Sequence, residues 1–364
     1  MLSVEHVIEA LRPVEDPELH RSIVELNMVR DVQVDGDHVS LTIALTVPGC
    51  PLKAEIDNRV KTALTAAGAT EVTLTFGVMT DEERGEVSRS LQSPQEGETR
   101  PNPFTNNRTR IIAVSSGKGG VGKSSVTTNL AVALAQRGFK VAAIDADVWG
   151  FSMPRMLGVE HPPTVLDGVI LPPEAHGVRL ISMGFFARED QPVMWRGPML
   201  HKAIEQFLTD VHWDDPDYLI IDMPPGTGDV SLSMAQFLPR SEVLVVTTPQ
   251  LAAQRVAQRA ALMAQKVNME VIGVIENMSW FRGDDGTAYE IFGSGGGQDL
   301  ADQLEVPLLG KIPLVPALRE GGDDGHPIVV SEPNSEAAET FRAIADQIIA
   351  TKPRKVFHPE LKIS

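Results

Sequence analysis

A mostly parallel α/β sheet with helices on both faces, preceded by a small α+β domain, is the fold this sequence predicts. Three observations carry the prediction. The apolar, β-branched run Ile111-Ile112-Ala113-Val114 passes through a glycine-rich turn into an amphipathic helix, with Val126, Leu130, Ala133 and Leu134 on one face and Gly138 as its stop. Further near-continuous apolar runs at 140–144, 217–222, 242–247 and 271–274 alternate with helical stretches, among them the Ala- and Gln-rich segment 250–267. Strands apolar on both faces belong to a parallel sheet that is covered on both sides. Residues 1–83 carry a different pattern, strict alternation, and so form a separate α+β domain.

Within that first domain Ser3 caps a helix that runs through Leu11. Val39, Leu41, Ile43, Leu45 and Val47 alternate with Ser40, Thr42, Ala44 and Thr46, the period of a half-buried strand. After Pro48-Gly49-Cys50-Pro51 a helix starts at Pro51, whose fixed φ suits a first helical position. Leu52, Ile56, Val60 and Leu64 recur along it, Gly68 ends it, and 71–76 is another strand. Residues 84–109 carry Ser, Pro, Gly, Gln, Asn and charge without an apolar period, which reads as a flexible linker. The second domain spans 110–350. In the tail, 351–364, Pro353 and Pro359 prevent a continuous amphipathic membrane-binding helix.

Composition sets the bounds. The 364 residues hold 32 Lys and Arg against 49 Asp and Glu, a net charge of −17, which argues against a general nucleic-acid or anionic-membrane binder. No apolar run has transmembrane length, and the N-terminus lacks a charged-then-apolar signal pattern, so the expected location is cytoplasmic. One cysteine, Cys50, excludes an intrachain disulfide framework.

The chemistry concentrates at the first glycine-rich turn. Gly117-Lys118-Gly119-Gly120-Val121-Gly122-Lys123-Ser124-Ser125, set between a strand and a helix, is a phosphate-binding P-loop. Its glycines let backbone N–H groups curl around phosphate oxygens, and the helix N-terminus adds the positive end of its dipole. Lys123 reaches the β- and γ-phosphates, and the Ser124 hydroxyl ligates Mg²⁺. Asp222 ends a hydrophobic strand, as a carboxylate that reaches Mg²⁺ through water does. Asp145 and Asp147 end another strand. Asn277, in Glu276-Asn277-Met278-Ser279, has the donor and acceptor to pair with adenine. ATP and Mg²⁺ are the expected ligands.

Lys118 gives the loop the form Lys-Gly-Gly-x-Gly-Lys-Ser, which resembles the deviant Walker A motif of the MinD/ParA class of ATPases. In that class the early lysine crosses a dimer interface to the partner's nucleotide, so the resemblance implies an ATP-dependent homodimer. It also implies that Asp145 supports the Mg²⁺ shell and Asp147 positions the attacking water. Gly226-Thr227-Gly228-Asp229 would be a γ-phosphate switch, and Pro313, in the loop 311–316, would pack on the adenine. Strings such as Asp145-Ala146-Asp147-Val148-Trp149-Gly150, Met194-Trp195-Arg196-Gly197-Pro198-Met199 and Asp222-Met223-Pro224-Pro225-Gly226-Thr227-Gly228-Asp229 are similar to the Mrp/NBP35 family. Glu15-Asp16-Pro17-Glu18-Leu19 and Thr46-Val47-Pro48-Gly49-Cys50-Pro51 resemble the MIP18 (DUF59) domain of iron–sulfur assembly.

The resemblance implies an ATP-dependent carrier that delivers iron–sulfur clusters to apoprotein clients. The family's Cys-x-x-Cys after Glu-Asn-Met-Ser is replaced here by Trp280-Phe281-Arg282-Gly283-Asp284-Asp285-Gly286-Thr287. Four thiolates are the usual requirement of a cluster, and the nine histidines show no ligand spacing. Cys50 is then the remaining iron–sulfur candidate, with a thiol made reactive by the helix behind it; the opposite reading is an inert core cysteine. Two rival functions stay open, a nucleotide-switched scaffold that carries no metal and a small-molecule kinase or synthetase.

Overall fold

The structure, a computed structural model, describes residues 2–91, 102–105, 108–148, 150–186, 197–226 and 229–351. The chain divides into two compact units, one of Met1–Thr99 with Pro163–Pro172 and Asp210–His212, the other of the remaining residues.

The first unit is built on a three-stranded sheet of Val29–Asp35, His38–Leu45 and Glu71–Val78. The first two strands pair antiparallel and the last two parallel. Alternation places Val39, Leu41 and Ile43 in the core, against Ile56, Val60 and Leu64 of the helix Lys53–Ala66. Ser3 caps the helix Val4–Leu11 by accepting from the His6 amide at 3.2 Å. Lys53, not Pro51, begins the second helix; Pro51 and Leu52 lie in the preceding turn, where the Lys53 amide reaches back to the Cys50 carbonyl at 3.3 Å.

Two segments depart from the sequence reading. The supposed linker opens with an ordered helix, Asp81–Leu91, which buries Val87. Thr80 and Glu83 cap it reciprocally: Thr80 N donates to Glu83 Oε2 at 2.7 Å, and Glu83 N donates to Thr80 Oγ1 at 3.3 Å. Further along, Phe104 is buried against Trp213 in the second unit, and Asn102 Nδ2 donates to the Phe237 carbonyl at 2.8 Å. Residues 92–101 and 106–107 of that stretch, and the tail from 352, lie outside the described residues.

The second departure is a hairpin, Thr164–Leu166 with Val169–Leu171, that belongs to the first unit although it lies within the stretch read as the second domain. Asp167 (φ 45°) and Gly168 (φ 79°) form its two-residue turn, and both positive angles suit a tight hairpin. Leu166, Val169 and Leu171 complete the first unit's core, each contributing about 1.5–3 kcal/mol of burial. Thr164 Oγ1 donates to Glu18 Oε1 at 2.6 Å, so the hairpin is also keyed by a polar contact.

The second unit is organised on an eight-stranded sheet. Its order is Leu308–Lys311, Glu270–Glu276, Glu242–Thr247, Arg110–Ser116, Tyr218–Asp222, Val141–Asp145, Val178–Ser182 and Glu174–Ala175. All pairs are parallel except the last. Helices Lys123–Ala135 and Glu336–Ala350 pack on each other, and helix Leu251–Lys266 packs on the Glu242–Thr247 strand. Register sets the site: Asp222 pairs with both Val114 and Asp145, and Asp145 pairs with Ser182. Two carboxylates and a hydroxyl therefore end neighbouring strands at one level, beside the loop that leaves Ser116. Among the described residues no helix is long and apolar enough to cross a membrane.

Candidate active site

The glycine-rich turn joins the strand Arg110–Ser116 to the helix Lys123–Ala135. Gly120 (φ 77°) and Gly122 (φ 78°) take the left-handed conformation that glycine adopts at little cost. Packing restricts two positions as well. A Cβ on Gly117 would lie 2.2 Å from the Ala257 nitrogen, and one on Gly122 would lie 2.2 Å from Asn277 Nδ2. Gly119 meets neither restraint. Val121 is buried, and its carbonyl accepts from Asn277 Nδ2 at 2.8 Å. The Ser125 carbonyl accepts from Asn129 Nδ2 one turn on, at 2.9 Å.

Below the loop lies a buried charge cluster. Asp222 is fully buried and accepts three side-chain hydrogen bonds, from Lys123 Nζ and Ser124 Oγ at Oδ2 and from Thr127 Oγ1 at Oδ1, each 2.6 Å. Asp145, also fully buried, accepts from Ser182 Oγ at 3.0 Å and from the Ser152 and Met153 amides at 3.1 and 3.2 Å. Burial, reinforced by the neighbouring charge of Asp222, pushes the Asp145 carboxyl up to about 7; the Met153 amide, the Ser182 hydroxyl and Lys123 oppose the shift. Lys123 is thus one buried cation facing two buried carboxylates. Asp147 is buried beside them; its amide donates to Asp145 Oδ1 at 3.3 Å, and its own carboxylate accepts from the Gly150 amide at 3.1 Å.

Sequence reasoning missed Thr127 and Ser182. Thr127 was findable, since it lies one helical turn beyond Lys123 on the same face. Ser182 was not, because the strand Val178–Ser182 had not been recognised. Lys118 extends from the loop to Gln250, donating from Nζ to Oε1 at 3.1 Å. Asn277 is buried; with Nδ2 on the loop, its Oδ1 has no partner, and Thr248 Oγ1 and Trp280 Nε1 are likewise buried and unpaired. Pro313 is buried between Ile312, whose amide donates to the Glu276 carbonyl at 2.8 Å, and Leu314, whose amide donates to the Trp280 carbonyl at 2.7 Å. Thr227, Gly228 and the Asp229 side chain lie outside the described residues.

The donor set suits a hard cation that arrives with phosphates. The loop offers a hydroxyl and the strand ends offer carboxylate oxygens. Among the described residues no group of three or more His, Cys, Asp or Glu makes a cage of its own. Mg²⁺ is commonly held by one or two protein oxygens, with substrate phosphates and waters completing its octahedron. The residues present fit it.

Cys50 belongs to the first unit, and of its two readings its burial favours the core cysteine. It is buried, and that burial pushes its thiol up to about 11, with the charges of Glu18 and Asp16 adding and the Leu52 amide opposing. The helix begins only at Lys53, so Cys50 does not sit directly at its N-terminus. After Trp280 the chain forms a hairpin of Phe281–Arg282 and Ala288–Tyr289, and a half-exposed Arg282–Glu336 ion pair at 2.8 Å joins it to the helix Glu336–Ala350.

The parallel sheet, the loop with its second lysine and the carboxylates at the strand ends define a nucleotide-binding P-loop NTPase of the MinD/ParA type. Residues 107–349 match the family described as NUBPL iron-transfer P-loop NTPase, and residues 5–74 match the family described as iron-sulfur cluster assembly protein. The chain belongs to this iron–sulfur carrier family of P-loop NTPases, the Mrp family. It is 48% identical over 345 residues to the iron-sulfur cluster carrier protein of Mycobacterium tuberculosis, covering 93% of this chain and 91% of that protein. It is 39% identical to the protein of the same name from Bacillus subtilis, covering 96% and 98%. Among solved structures it resembles a nucleotide-binding protein from Archaeoglobus fulgidus in complex with ADP, with a TM-score of 0.55 and 32% identity over 72% of this chain and 97% of that one. It also resembles the cell division ATPase MinD of Pyrococcus furiosus, with a TM-score of 0.51 and 28% identity over 66% and 98%.

Proposed function

We propose that this protein is a Mg²⁺-dependent ATPase that works as a cytosolic homodimer and uses ATP turnover to pass iron–sulfur clusters to apoproteins. The convergence of Lys123, Ser124 and Thr127 on Asp222, with Asp145 and Asp147 alongside, carries the ATPase half of this reading. When the triphosphate enters, Lys123 leaves Asp222 for the β/γ-phosphate oxygens, and the loop amides from Gly117 to Ser125 take the remaining oxygens. Mg²⁺, when bound, would supply the charge neutralisation that the departing phosphate needs. Ser124, Asp222 and Asp145 are the residues that would hold the ion. Asp147 orients the attacking water by accepting one of its hydrogens. Water held by one aspartate, with no strong base beside it, makes turnover slow. Pro313 packs on the adenine, and the unpaired Asn277 Oδ1 accepts from its amino group. Lys118 reaches the nucleotide of the second subunit.

Lys123→Ala should abolish ATP binding, whereas Asp147→Ala should retain it and lose turnover by about 10²–10⁴-fold. Equal ATP affinity in wild type and Lys123→Ala would remove the assignment.

For the cluster, which is cargo, this chain offers one thiol, and that thiol is held protonated. Metal binding there has to displace the proton, so cluster binding is weak and depends on thiolates supplied from outside the chain. A second reading, a nucleotide-switched scaffold without cargo, draws on the cysteine-free hairpin at Trp280. Anaerobic reconstitution with iron and sulfide assay decides between them. Cluster bound by wild type and absent from Cys50→Ala supports the carrier with Cys50 as ligand; none in either protein supports the scaffold.

A further inference from the structure

The lysine that marks this loop does not stand free. Lys118 Nζ donates to Gln250 Oε1 at 3.1 Å, and both side chains are half-buried. Gln250 occupies the N-cap of the helix Leu251–Lys266 in an extended conformation, φ −62° and ψ 130°, yet its side chain makes no capping hydrogen bond. Helix N-caps favour Ser, Thr, Asp and Asn, whose short side chains reach the first-turn amides. The longer amide of Gln250 is spent on Lys118 instead.

The geometry between the two residues is fixed by packing. The backbone at Gly117 lies so close to Val256 and Ala257, in that same helix, that a Cβ would stand 2.2 Å from atoms of both. Ser116 Oγ donates to the Lys118 carbonyl at 3.1 Å and pins the loop from its other side. Loop and helix are thus packed backbone against backbone two turns from Gln250, so the distance from Lys118 to Gln250 does not depend on side-chain chance alone.

The acceptor is neutral, and that decides its effect. A carboxylate at this position would hold the ammonium in a full ion pair, and an apolar side chain would not hold it at all. An amide holds the lysine moderately, in a bond that an anionic phosphate outcompetes. We infer that Gln250 is a positioning residue that keeps Lys118 on its own subunit until the nucleotide of a second copy of this chain takes it. This rests on the dimeric ATPase reading given above. Gln250 thereby sets the threshold of ATP-dependent dimerisation, since the switch can shift only by the difference in Lys118's affinity for its two acceptors.

The test uses the full chain with turnover blocked by Asp147→Ala, saturated with ATP·Mg and followed by sedimentation. Gln250→Leu should lower the protein concentration for half-dimerisation by about fivefold, and Gln250→Glu should raise it by about tenfold. In the Lys118→Ala background, where the dimer is weaker and is followed at higher protein concentration, neither substitution should have any further effect. ADP binding is measured on every variant to identify a loop that has failed to fold, and the nearly isosteric Gln250→Glu carries the test if Gln250→Leu does. Shifts that persist without Lys118, or no shift in either Gln250 variant, overturn the positioning role. A dimer indifferent to Lys118→Ala overturns the dimer reading instead, so the two failures are told apart.

Discussion

Each unit of this protein buries an acidic cluster, and the two clusters are balanced in opposite ways. In the second unit Asp222 and Asp145 face Lys123, three hydroxyls and several amides. In the first, buried Asp16 accepts from the Glu18 and Leu19 amides at 2.9 Å, and its carboxyl is pushed up by burial, against those amides and the charges of His20 and Arg59. The cation in the second unit is buried against Asp222, and on the mechanism proposed above it would pass from that carboxylate to a phosphate. The proton-bearing group added to the first is the Cys50 thiol, and its neighbouring carboxylates discourage ionisation. One cluster is arranged to exchange a charge with a ligand, the other to withhold one.

The largest effect expected from this contrast is on thiol reactivity. A thiol moved from 9.0 to about 11 presents about 100-fold less thiolate at neutral pH. Alkylation of Cys50 by iodoacetamide should be slower by about that factor in the native protein than in urea, and Asp16→Asn should recover part of it. Native alkylation as fast as in urea would show that the first cluster does not protect its thiol. ATP turnover should be unaffected by Cys50→Ala.

A smaller effect concerns the hairpin that completes the first unit's core. Leu166→Ala removes a fully buried side chain and should destabilise that unit by about 2–5 kcal/mol. Hydrogen exchange reads it locally: amides of His38–Leu45 should lose protection while those of Arg110–Ser116 keep theirs. Equal loss in both strands would mean that the two units unfold as one.

How much of this was legible follows from the range of the interactions. The loop, its lysines and the strand-ending carboxylates are local patterns, and the register that aligns Asp222 with Asp145 follows once the strands are parallel. The helix Asp81–Leu91 was missed although Thr80-x-x-Glu83 spells a capping box, because its few apolar residues hid any period. The hairpin carried an Asp167-Gly168 turn signal, but nothing local assigns a strand to one core or another. For Cys50 the sequence left two readings open for a different reason. A helix start is read from neighbouring residues, whereas the burial of Cys50 and the approach of Asp16 and Glu18 are set by tertiary folding.

The smallest effect tests the second cluster at rest, without nucleotide or divalent ion. The Asp145 carboxyl is raised from 3.8 to about 7 in the folded protein, so between those values the native state binds a proton that the unfolded chain has lost. Stability must then fall as pH rises through that window, because the unfolded state binds fewer protons than the native one. The contribution is full below the unfolded value and gone above the folded one, the reverse of an ion-paired aspartate. Asp145→Asn keeps the shape and cannot ionise. Its thermal midpoint in EDTA should exceed that of wild type at about pH 8 by about 3 °C, with the gap narrowing as pH falls and closing only below about pH 4, where Asp145 is neutral in the folded and the unfolded state alike. A gap that stays constant with pH would mean that Lys123 alone neutralises the pair and that Asp145 is ionised throughout. The two clusters would then differ only in what they bury, and no longer in how they are balanced.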